Sequence, residues 1–500
     1  MISDGIAVPD ARCVRLSRTL EYWFEMALME VDVRAIALDR LESVIGPERA
    51  GHFRSTAATA RAFLHGRTVL NVNSTATGGG VAELLQTLLS YARGAGVNAR
   101  WVVIDGNPRF FEITKRLHNH LYGAPGDGGP LGAAERLDYE ETLHRNEADL
   151  LGIVRPGDIV VLHDPQTAGL AAAVRSAGAR LVWRCHVGID TPNEHSEIGW
   201  EFMRPYIDAV DGYVFSRERF APGWVPREHL AVIPPSIDPF SAKNETIDDA
   251  SVTRLLRCVG LVADGDDQPG GFTRRDGSRG DITRRADLLG TGPPPPVDAP
   301  LVLQASRWDA LKDMQGVLAG FADHICQRTD AHLLLAGPQI SGVADDPEAE
   351  QVLQQCLSLW HTLPKEVQRR AHLACVPMSD PDEAAAMVNG LQRHATVVVQ
   401  KSLAEGFGLT VAEAMWKARP VVGTAVGGIA DQIVSGESGI LLGDARDLEQ
   451  YAQAVCILLD DARERDRIGT NARERAVQHF LGDRHLEQWA DLFAHLDGKR

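Results

Sequence analysis

The chain has 500 residues, of which 44% are hydrophobic and 24% charged, and its formal net charge is −17. This length exceeds one ordinary hydrophobic core and predicts two or three domains, and the composition is that of a globular protein. The net negative charge argues against general binding of nucleic acid, although a small basic pocket can still hold a phosphate.

The cysteines and the N-terminus indicate the compartment. The seven cysteines are scattered and form no CxxC pair, which favours reduced thiols over a disulfide framework. The N-terminus lacks a basic stretch followed by an apolar run, and no apolar run reaches the length of about 18 residues that a membrane helix needs. We therefore expect a cytoplasmic protein that does not enter a membrane.

From the N-terminus, the pattern changes from helical segments to alternating strands and helices. Residues 15–65 are mostly of helical type, and a β-branched run at 67–73 then leads through a glycine loop at 78–80 into the helix-spaced segment 81–89. Further short strands are predicted at 99–104, 158–162, 179–184, 213–215 and 230–233. This alternation predicts a parallel sheet with helices on both faces.

Three prolines at 233–239 interrupt the series and predict a linker. Residues 261–300 are rich in Gly, Asp, Arg and Pro, so we predict a mobile, solvated insertion there. The last helix, around 485–496, has one apolar face suited to packing. A second α/β series has predicted strands at 300–305, 331–336, 395–399, 420–422 and 438–442.

The pattern therefore predicts two doubly wound domains, residues 1–238 with a helical N-terminal extension and residues 239–480. Residues 481–500 are predicted to form a helix that packs back on the first domain. Two such domains face a central cleft, and ligands of open α/β sheets bind beyond the carboxyl ends of the strands.

The glycine loop, Gly78-Gly79-Gly80, lies between a predicted strand and a predicted helix. Its backbone N–H groups can approach an anion, and a helix N-terminus favours negative charge. The loop matches neither GxGxxG nor GxxxxGK[ST], so the dinucleotide and P-loop fingerprints are not met. A tight structural turn explains the same glycines about equally well.

A pair of cations follows the first strand of the second series. Arg307 and Lys312 lie five residues apart across a turn into a helix. The arginine fork and the lysine point charge suit the divided charge of a diphosphate. The alternative is that the two cations pair with Asp309 and Asp313 at the surface.

Two histidines, His163 and His186, end predicted strands of the first domain, and Asp164 follows the first of them. One strand-end histidine is usually structural. Two histidines that face the same cleft beside a carboxylate favour a functional site.

The stretch EGFGLTVAE places Glu405 and Glu413 eight residues apart at a strand-to-helix turn. Its glycines bring backbone N–H groups close to a ligand, and Glu405 stands beside that anion site as an acceptor. Such a site suits a ligand with both hydroxyls and phosphates, for example a sugar nucleotide. Thr410 and Glu413 also fit a capping box, which is a purely structural explanation for Glu413.

EGFGLTVAE resembles the E-x7-E motif of retaining glycosyltransferases of the GT-B type, and SRWDALKD is similar to the Arg…Lys diphosphate clamp of glycosyltransferase family four. NVNSTATGGGVAELL, VVIDGNPRFFEITKRLHN, HDPQ and WRCH resemble the family of trehalose synthases that use a nucleoside diphosphate sugar. The resemblance covers roughly residues 60–480. It implies a GT-B fold of two Rossmann-like domains, with the acceptor bound on the first and the nucleotide sugar on the second.

For the donor, the resemblance implies that Gly79 and Gly80 approach the phosphate and that Arg307 and Lys312 neutralise the diphosphate. Glu413 would bind the ribose. The backbone groups that would support the phosphate and the sugar are those of Phe407, Gly408, Leu409 and Thr410.

For the reacting sugars, the resemblance implies that His186 lies over the reacting centre and that Glu405 holds hydroxyls of the transferred sugar. Asp105, His163 and Asp164 are weaker candidates for acceptor contacts. Neither a metal nor a cofactor is expected, since the nucleoside diphosphate glucose is a co-substrate. The sequence leaves open whether the chain forms a homodimer.

Three functions compete at this stage. The first is a transferase that makes trehalose, or a similar glucoside of another small acceptor, from a nucleoside diphosphate glucose. The second is a retaining trehalose phosphorylase that uses inorganic phosphate in the same anion pocket. The third is a bilobal protein that binds a sugar nucleotide without catalysis. Neither the nucleotide base nor the acceptor follows from the sequence.

Overall fold

The computed structural model describes residues 28–77, 79–263, 270–290, 292–340 and 347–498. The first part of the chain folds as an α/β unit. Its elements are β1 (Met29–Glu30), α1 (Asp39–Ile45), α2 (Pro47–Phe63), β2 (Val69–Asn73), α3 (Gly80–Gly94), β3 (Ala99–Val103), α4 (Pro108–Leu121), α5 (Ala133–Ile153), β4 (Ile159–His163), α6 (Asp164–Thr167), α7 (Ala171–Ser176), β5 (Arg180–Cys185), α8 (Glu194–Ile207), β6 (Gly212–Phe215) and β7 (Leu230–Val232).

The second part of the chain repeats this alternation and ends in three long helices. Its elements are α9 (Asp249–Val259), β8 (Gly271–Thr273), β9 (Arg279–Asp281), β10 (Asp287–Leu289), β11 (Leu301–Ala305), α10 (Met314–Gly320), β12 (His332–Pro338), α11 (Pro347–Thr362), α12 (Lys365–Gln368), β13 (Ala371–Val376), α13 (Pro381–His394), β14 (Val397–Gln400), α14 (Leu409–Trp416), β15 (Val421–Thr424), α15 (Gly427–Gln432), β16 (Ile440–Leu442), α16 (Leu448–Asp460), α17 (Ala462–His479) and α18 (Gly482–Gly498).

Each part contains a seven-stranded sheet whose strands are parallel except for one edge strand. The orders are β1-β3-β2-β4-β5-β6-β7 and β10-β13-β12-β11-β14-β15-β16. The direction of winding reverses between β2 and β4 in the first sheet and between β11 and β14 in the second. A crevice opens at such a reversal, because the connections leave to opposite sides there. Each of these four strands leads into one of the motifs: β2 into the glycine loop, β4 into HDPQ, β11 into SRWD and β14 into EGFG.

The predicted solvated insertion at 261–300 is instead ordered over residues 270–290. β8 and β9 form a hairpin, and β10 joins the second sheet antiparallel to β13. The prediction of an irregular loop is wrong here, because the polar residues of the segment bind the N-terminus of α13. Arg274 lies 2.8 Å from Asp380, and the backbone N–H of Thr283 donates to Glu383. Residues 264–269 and 291 of the insertion lie outside the described residues.

The chain crosses between the two sheets twice, and the two crossings lie side by side. Ile237, on the way out, donates its N–H to the carbonyl of Phe480, on the way back, at 2.8 Å. Helix α18 then packs on the first sheet and on α2, with the stripe Trp489, Leu492, Phe493 and Leu496 buried against apolar side chains of both.

No helix among the described residues is long and apolar enough to cross a bilayer. The N-terminal part of the predicted helical extension, up to residue 27, lies outside the described residues. Its remainder forms α1 and α2, preceded by the unpredicted edge strand β1.

A pair of histidines connects two adjacent strands: His372 of β13 is buried, and His332 of β12 is half-buried. The rings of His332 and His372 stack with centroids 5.3 Å apart, and Nδ1 of His332 lies 3.0 Å from Nε2 of His372. Burial, with His332 alongside, lowers the pKa of His372 from 6.5 to about 3. The folded protein therefore holds this imidazole neutral at pH values where an unfolded chain would protonate it.

Replacing Trp489 tests whether α18 is part of the first core. We expect Trp489→Ala to lower the free energy of unfolding by about 3–5 kcal/mol, the usual loss for a buried tryptophan. Thermal unfolding of the variant measures this loss. Ile457→Ala, at a side chain that is 53% exposed, is the control and should change little. Equal midpoints for both variants would contradict the packing.

The histidine pair predicts a pH dependence of stability. A group whose folded pKa is depressed contributes stability that is complete above the unfolded pKa, about 6.5, and is lost as the pH falls towards the folded pKa, about 3. We expect His372 to account for a loss on the order of 2 kcal/mol between about pH 6.5 and pH 4.5. Urea unfolding of the wild type and of His372→Gln at both pH values measures this loss. The variant should show the shallower dependence, and parallel curves would exclude the effect.

Candidate active site

Two helix N-termini from different sheets meet in the cleft. Helix α3 begins after Gly79, with φ 83°, and α14 begins after Gly408, with φ 85°. Both glycines have the left-handed backbone that other residues rarely adopt. The position of a Cβ atom at Gly80 would lie 3.1 Å from Cδ1 of Leu409. Because the first N–H groups of a helix have no partner within it, two sets of donors face each other here. Gly78 lies outside the described residues.

The loop at 405–408 also touches the first sheet. A Cβ atom at Gly406 would lie 2.6 Å from the carbonyl oxygen of His186 and 2.8 Å from the hydroxyl oxygen of Tyr122. Only glycine fits at this position without a shift of its surroundings. The loop that carries Glu405 is therefore in direct contact with the strand end that carries His186.

The predicted cation pair lies in the segment that follows β11, and Lys312 reaches from there to the loop at 405–408. Lys312 donates from Nζ to Oε2 of Glu405 at 2.7 Å, and both side chains are mostly buried. Arg307 donates to Oδ2 of Asp309 at 3.0 Å, and its side chain is about half exposed. Of the predicted surface pairs, Arg307 with Asp309 occurs, whereas Lys312 turns to the acid of the EGFG motif. A cation and an acceptor thus lie side by side at the end of two adjacent strands.

His186 forms a dyad with Asp164. The carboxylate accepts from the backbone N–H of His186 at 2.8 Å and lies 2.9 Å from Nδ1 of its ring. Burial opposes ionisation of Asp164, but His186 outweighs it and holds the pKa of that carboxyl at about 2. Burial also lowers the pKa of His186 itself, although Asp164 acts in the opposite direction. The neutral ring then carries its proton on Nδ1, and Nε2 is an acceptor without a partner among the described side chains.

His163 lies behind this dyad. Its ring stacks on that of His186 with centroids 5.4 Å apart, and its Nε2 lies 2.9 Å from Oδ1 of Asn71. The side chain is 3% exposed. His163 and Asp164 therefore contact His186 and hold it in place.

Glu413 is not part of a capping box. The hydroxyl of Thr410 donates to Gln400 at 3.0 Å, and the residue that caps α14 is Gly408. Glu413 is 1% exposed, its Oε1 lies 3.3 Å from Nζ of Lys243, and its Oε2 has no partner within the described part of the chain. The structural explanation through the cap is wrong, because the helix begins one residue before Thr410. One oxygen of this carboxylate is left to accept a hydrogen bond.

Two further predicted residues, Phe407 and Asp105, make other contacts. Phe407 turns its ring into the second core, against Phe480 at 5.8 Å between ring centroids, so only its backbone faces the loop. Asp105 contacts Asn146 through its backbone, and no contact joins it to His186 or Glu405 in the ranges that the structure describes. Among the described residues, the hydrogen bonds of Asp105 thus go to Asn146 of α5.

Sequence reasoning missed a row of polar residues on α4. His118 packs against Tyr122 with ring centroids 4.9 Å apart, and Tyr122 reaches Gly406. Lys115 lies one turn earlier on α4, and its Nζ is 3.9 Å from Oε2 of Glu348 on α11, in the second part of the chain. Their spacing of three and four residues in TKRLHNHLY was the available signal.

A second missed group joins the two halves at the side of the cleft. Arg217, at the end of β6, binds Asp431 of α15 with one N–H at 2.9 Å and also binds Asp190. Asp190 in turn accepts from the backbone N–H of Gly427 at 2.9 Å. This ion-pair group fixes α15, which lies against the EGFG loop. Across the described ranges, no three His, Cys, Asp or Glu side chains are arranged to hold a metal ion.

Comparison with known proteins identifies two segments. Residues 71–222 match the family model "Trehalose synthase, N-terminal domain", and residues 292–475 match the model "Glycosyl transferases group 1". The trehalose synthase of Rubrobacter xylanophilus is 34% identical over 473 residues, which cover 92% of this chain and 97% of that protein. The trehalose synthase of Pyrococcus horikoshii is 31% identical over 462 residues, again with 92% and 97% covered.

The solved structures show the same architecture. A trehalose-6-phosphate protein from E. coli, bound with UDP-2-fluoro glucose, matches with a TM-score of 0.63 at 12% identity. The match covers 86% of this chain and 99% of that one. At this identity, the likeness supports the fold alone, which is GT-B. With relatives above 30% identity over nearly its whole length, the chain belongs to the trehalose synthase family of retaining GT-B glycosyltransferases.

Proposed function

We propose that this protein transfers glucose from a nucleoside diphosphate glucose to free glucose and forms α,α-trehalose reversibly, with retention of configuration. The observation that carries this proposal is the contact of His186, from the first sheet, with the loop of Glu405, whose carboxylate holds Lys312. The imidazole of His186, the carboxylate of Glu405 and the ammonium group of Lys312 thus lie where the two domains meet. That combination suits a sugar attached to a diphosphate.

The reaction requires one bond to break and one to form at the same carbon. The bond from C1 of the donor glucose to the β-phosphate oxygen breaks, and its electrons stay with the diphosphate. The anomeric oxygen of the acceptor glucose bonds to C1 on the same face, and its hydroxyl proton passes to the departing phosphate. Charge grows on the diphosphate as the bond breaks, so cations next to it stabilise the transition state.

The residues have separate tasks in this proposal. Arg307 and Lys312 neutralise the diphosphate, and the N–H groups that begin α3 and α14, after Gly79 and Gly408, bind its oxygens. Glu405 holds hydroxyls of the transferred glucose and also orients Lys312. Glu413 accepts from the ribose through its free oxygen, which is supported by the unpartnered Oε2.

His186 contacts the reacting sugar. The Nε2 atom of its neutral ring accepts a hydrogen bond from a sugar hydroxyl, while Asp164 fixes the tautomer by accepting from Nδ1. Asp164 and His163 are then positioning residues, whereas an acceptor contact for Asp105 stays a prediction. Neither a metal nor a cofactor takes part, because the cations of the chain supply the charge.

The domain division is part of the same proposal. Residues 1–238 bind the acceptor and 239–480 the nucleotide sugar, and the helix of 481–500 belongs to the first domain. The cytoplasmic location stays a prediction, and the sequence leaves the homodimer open. The substrates proposed are small molecules, with neither nucleic acid nor membrane involved.

The test is to incubate the protein with ADP-, UDP- or GDP-glucose and free glucose, without added inorganic phosphate. We expect a non-reducing disaccharide with an α,α linkage, identified by NMR, together with one equivalent of the nucleoside diphosphate. A parallel reaction with trehalose and phosphate tests the phosphorylase alternative. Phosphorolysis without any use of a nucleoside diphosphate glucose would replace the proposal by that alternative.

Glu405→Gln removes the charge of this side chain and keeps its size. The amide places N–H groups where a sugar hydroxyl needs an acceptor, and it no longer pairs ionically with Lys312. We expect kcat/KM for the donor to fall at least ~10-fold, which corresponds to about 1.4 kcal/mol. Steady-state kinetics and the thermal midpoint are measured together. Glu366→Gln, an exposed carboxylate on α12, is the control, and equal kinetics for both variants would remove Glu405 from the site.

A further inference from the structure

A lysine outside the recognised motifs lies between the two helices that form the donor site. Lys243 follows the first crossing of the chain between the domains. Its Nζ lies 2.9 Å from Oε2 of Glu83 and 3.3 Å from Oε1 of Glu413. We call these three residues the lysine bridge.

The two carboxylates of the bridge both lie near the N-termini of their helices. Glu83 lies three residues after Gly80, in the first turn of α3, and Glu413 lies four residues after Leu409, in the second turn of α14. The first residues of the same helices, Gly80 and Leu409, are in contact. Lys243 therefore connects α3 and α14 one turn below the point where their N-termini meet.

Burial makes this connection costly to remove. Lys243 is about one-fifth exposed and Glu413 is 1% exposed, whereas Glu83 is about two-fifths exposed. Burial acts to lower the pKa of Lys243, but Glu413 and Glu83 outweigh it and raise that pKa. Burial raises the pKa of Glu413, and Lys243 opposes this effect. The lysine thus keeps a charge close to a carboxylate that burial would otherwise neutralise.

We propose that Lys243 is a positioning residue for the nucleoside diphosphate: it holds Oε1 of Glu413 so that Oε2 faces the ribose, and it sets the spacing of the α3 and α14 N-termini through Glu83. The inference rests on the proposed function, since it assigns the ribose to Glu413. Lys243 lies in the chain segment between the domains, outside the recognised motifs. The inference therefore gives this segment a role in donor binding.

Lys243 acts on the ligand through Glu413. A ribose hydroxyl needs an acceptor in a fixed orientation, and an ionised carboxylate is a stronger acceptor than a neutral one. Without Lys243, the buried carboxylate of Glu413 takes up a proton or turns towards another donor, and the hydroxyl loses its partner. Without Glu83, the lysine still holds Glu413, but α3 is no longer tied to α14.

The test compares Lys243→Met and Lys243→Arg with the wild type. Calorimetry gives the dissociation constants of ADP, UDP and GDP, and kinetics give KM for donor and for glucose separately. We expect Lys243→Met to weaken binding of the preferred diphosphate roughly 10-fold or more, the scale for losing a hydrogen bond to a charged group. KM for glucose should stay within about twofold. Lys243→Arg, which keeps the charge, should recover most of the affinity.

Two further variants test the route through the bridge. In a Glu413→Gln background, Lys243→Met should weaken diphosphate binding little further, because the group through which the lysine acts has changed. Glu83→Gln, at a partly exposed side chain, should weaken binding about 2–5-fold, as for loss of a surface ion pair of up to about 1 kcal/mol. This variant keeps the proposal testable if Lys243→Met does not fold.

The outcomes separate the inference from the proposed function. Lys365→Met, whose lysine bonds Gln368 on its own helix, is the control and should bind the diphosphates as the wild type does. If Lys243→Met lowers the thermal midpoint but leaves diphosphate affinity unchanged, Lys243 is structural only and the inference is overturned. Additive losses in the double variant with Glu413→Gln would also overturn it. A wild type that binds no nucleoside diphosphate would instead overturn the proposed function.

Discussion

The geometry of the cleft follows from one constraint on parallel sheets. All parallel strands of a sheet end on the same edge, and a crevice forms where the winding direction reverses. Here two sheets present such edges to each other, so that the segments after β2, β4, β11 and β14 converge although they are far apart in the sequence. The contacts of Gly80 with Leu409 and of Gly406 with His186 are the places where the two edges touch.

The electrostatics of the cleft contrast with those of the whole chain. The chain carries a net charge of −17, yet Lys312 and Arg307 lie in the cleft, each beside a carboxylate, Glu405 and Asp309 respectively. Each cation therefore has an internal partner and stays in place before a ligand arrives. In the proposed function, a diphosphate that enters competes with Glu405 and Asp309 for these cations, and this competition weakens its binding relative to binding by unpaired cations.

Much of the fold could be predicted because its strands are short apolar runs with glycine or proline at their ends. β2, β4, β5, β11 and β12 are of this type, and each lies within about two residues of its predicted bounds. β13 was missed, since His372 and the preceding arginines hide an apolar run that is buried on both faces. β8, β9 and β10 were missed because the partners of this segment lie about a hundred residues away: Arg274 pairs with Asp380, the backbone N–H of Thr283 donates to Glu383, and β10 pairs with β13.

The candidate site was predictable where one motif holds several of its residues, as in SRWDALKD and EGFGLTVAE. Partners that come from other segments were not predictable, because nothing in the local sequence connects Lys243 to Glu413 or Tyr122 to Gly406. The assignment of Glu413 to a capping box failed for a local reason: a glycine with positive φ, Gly408, caps the helix two residues earlier than the Thr410 pattern suggested.

The return of α18 to the first sheet has a consequence for how the protein is made. Trp489 and Phe493 fill the core of a domain whose strands lie before residue 233. A ribosome therefore synthesises the whole second domain before it supplies the last helix of the first. The second domain can fold during synthesis, whereas the first must wait, with part of its apolar surface uncovered, until α18 has left the ribosome.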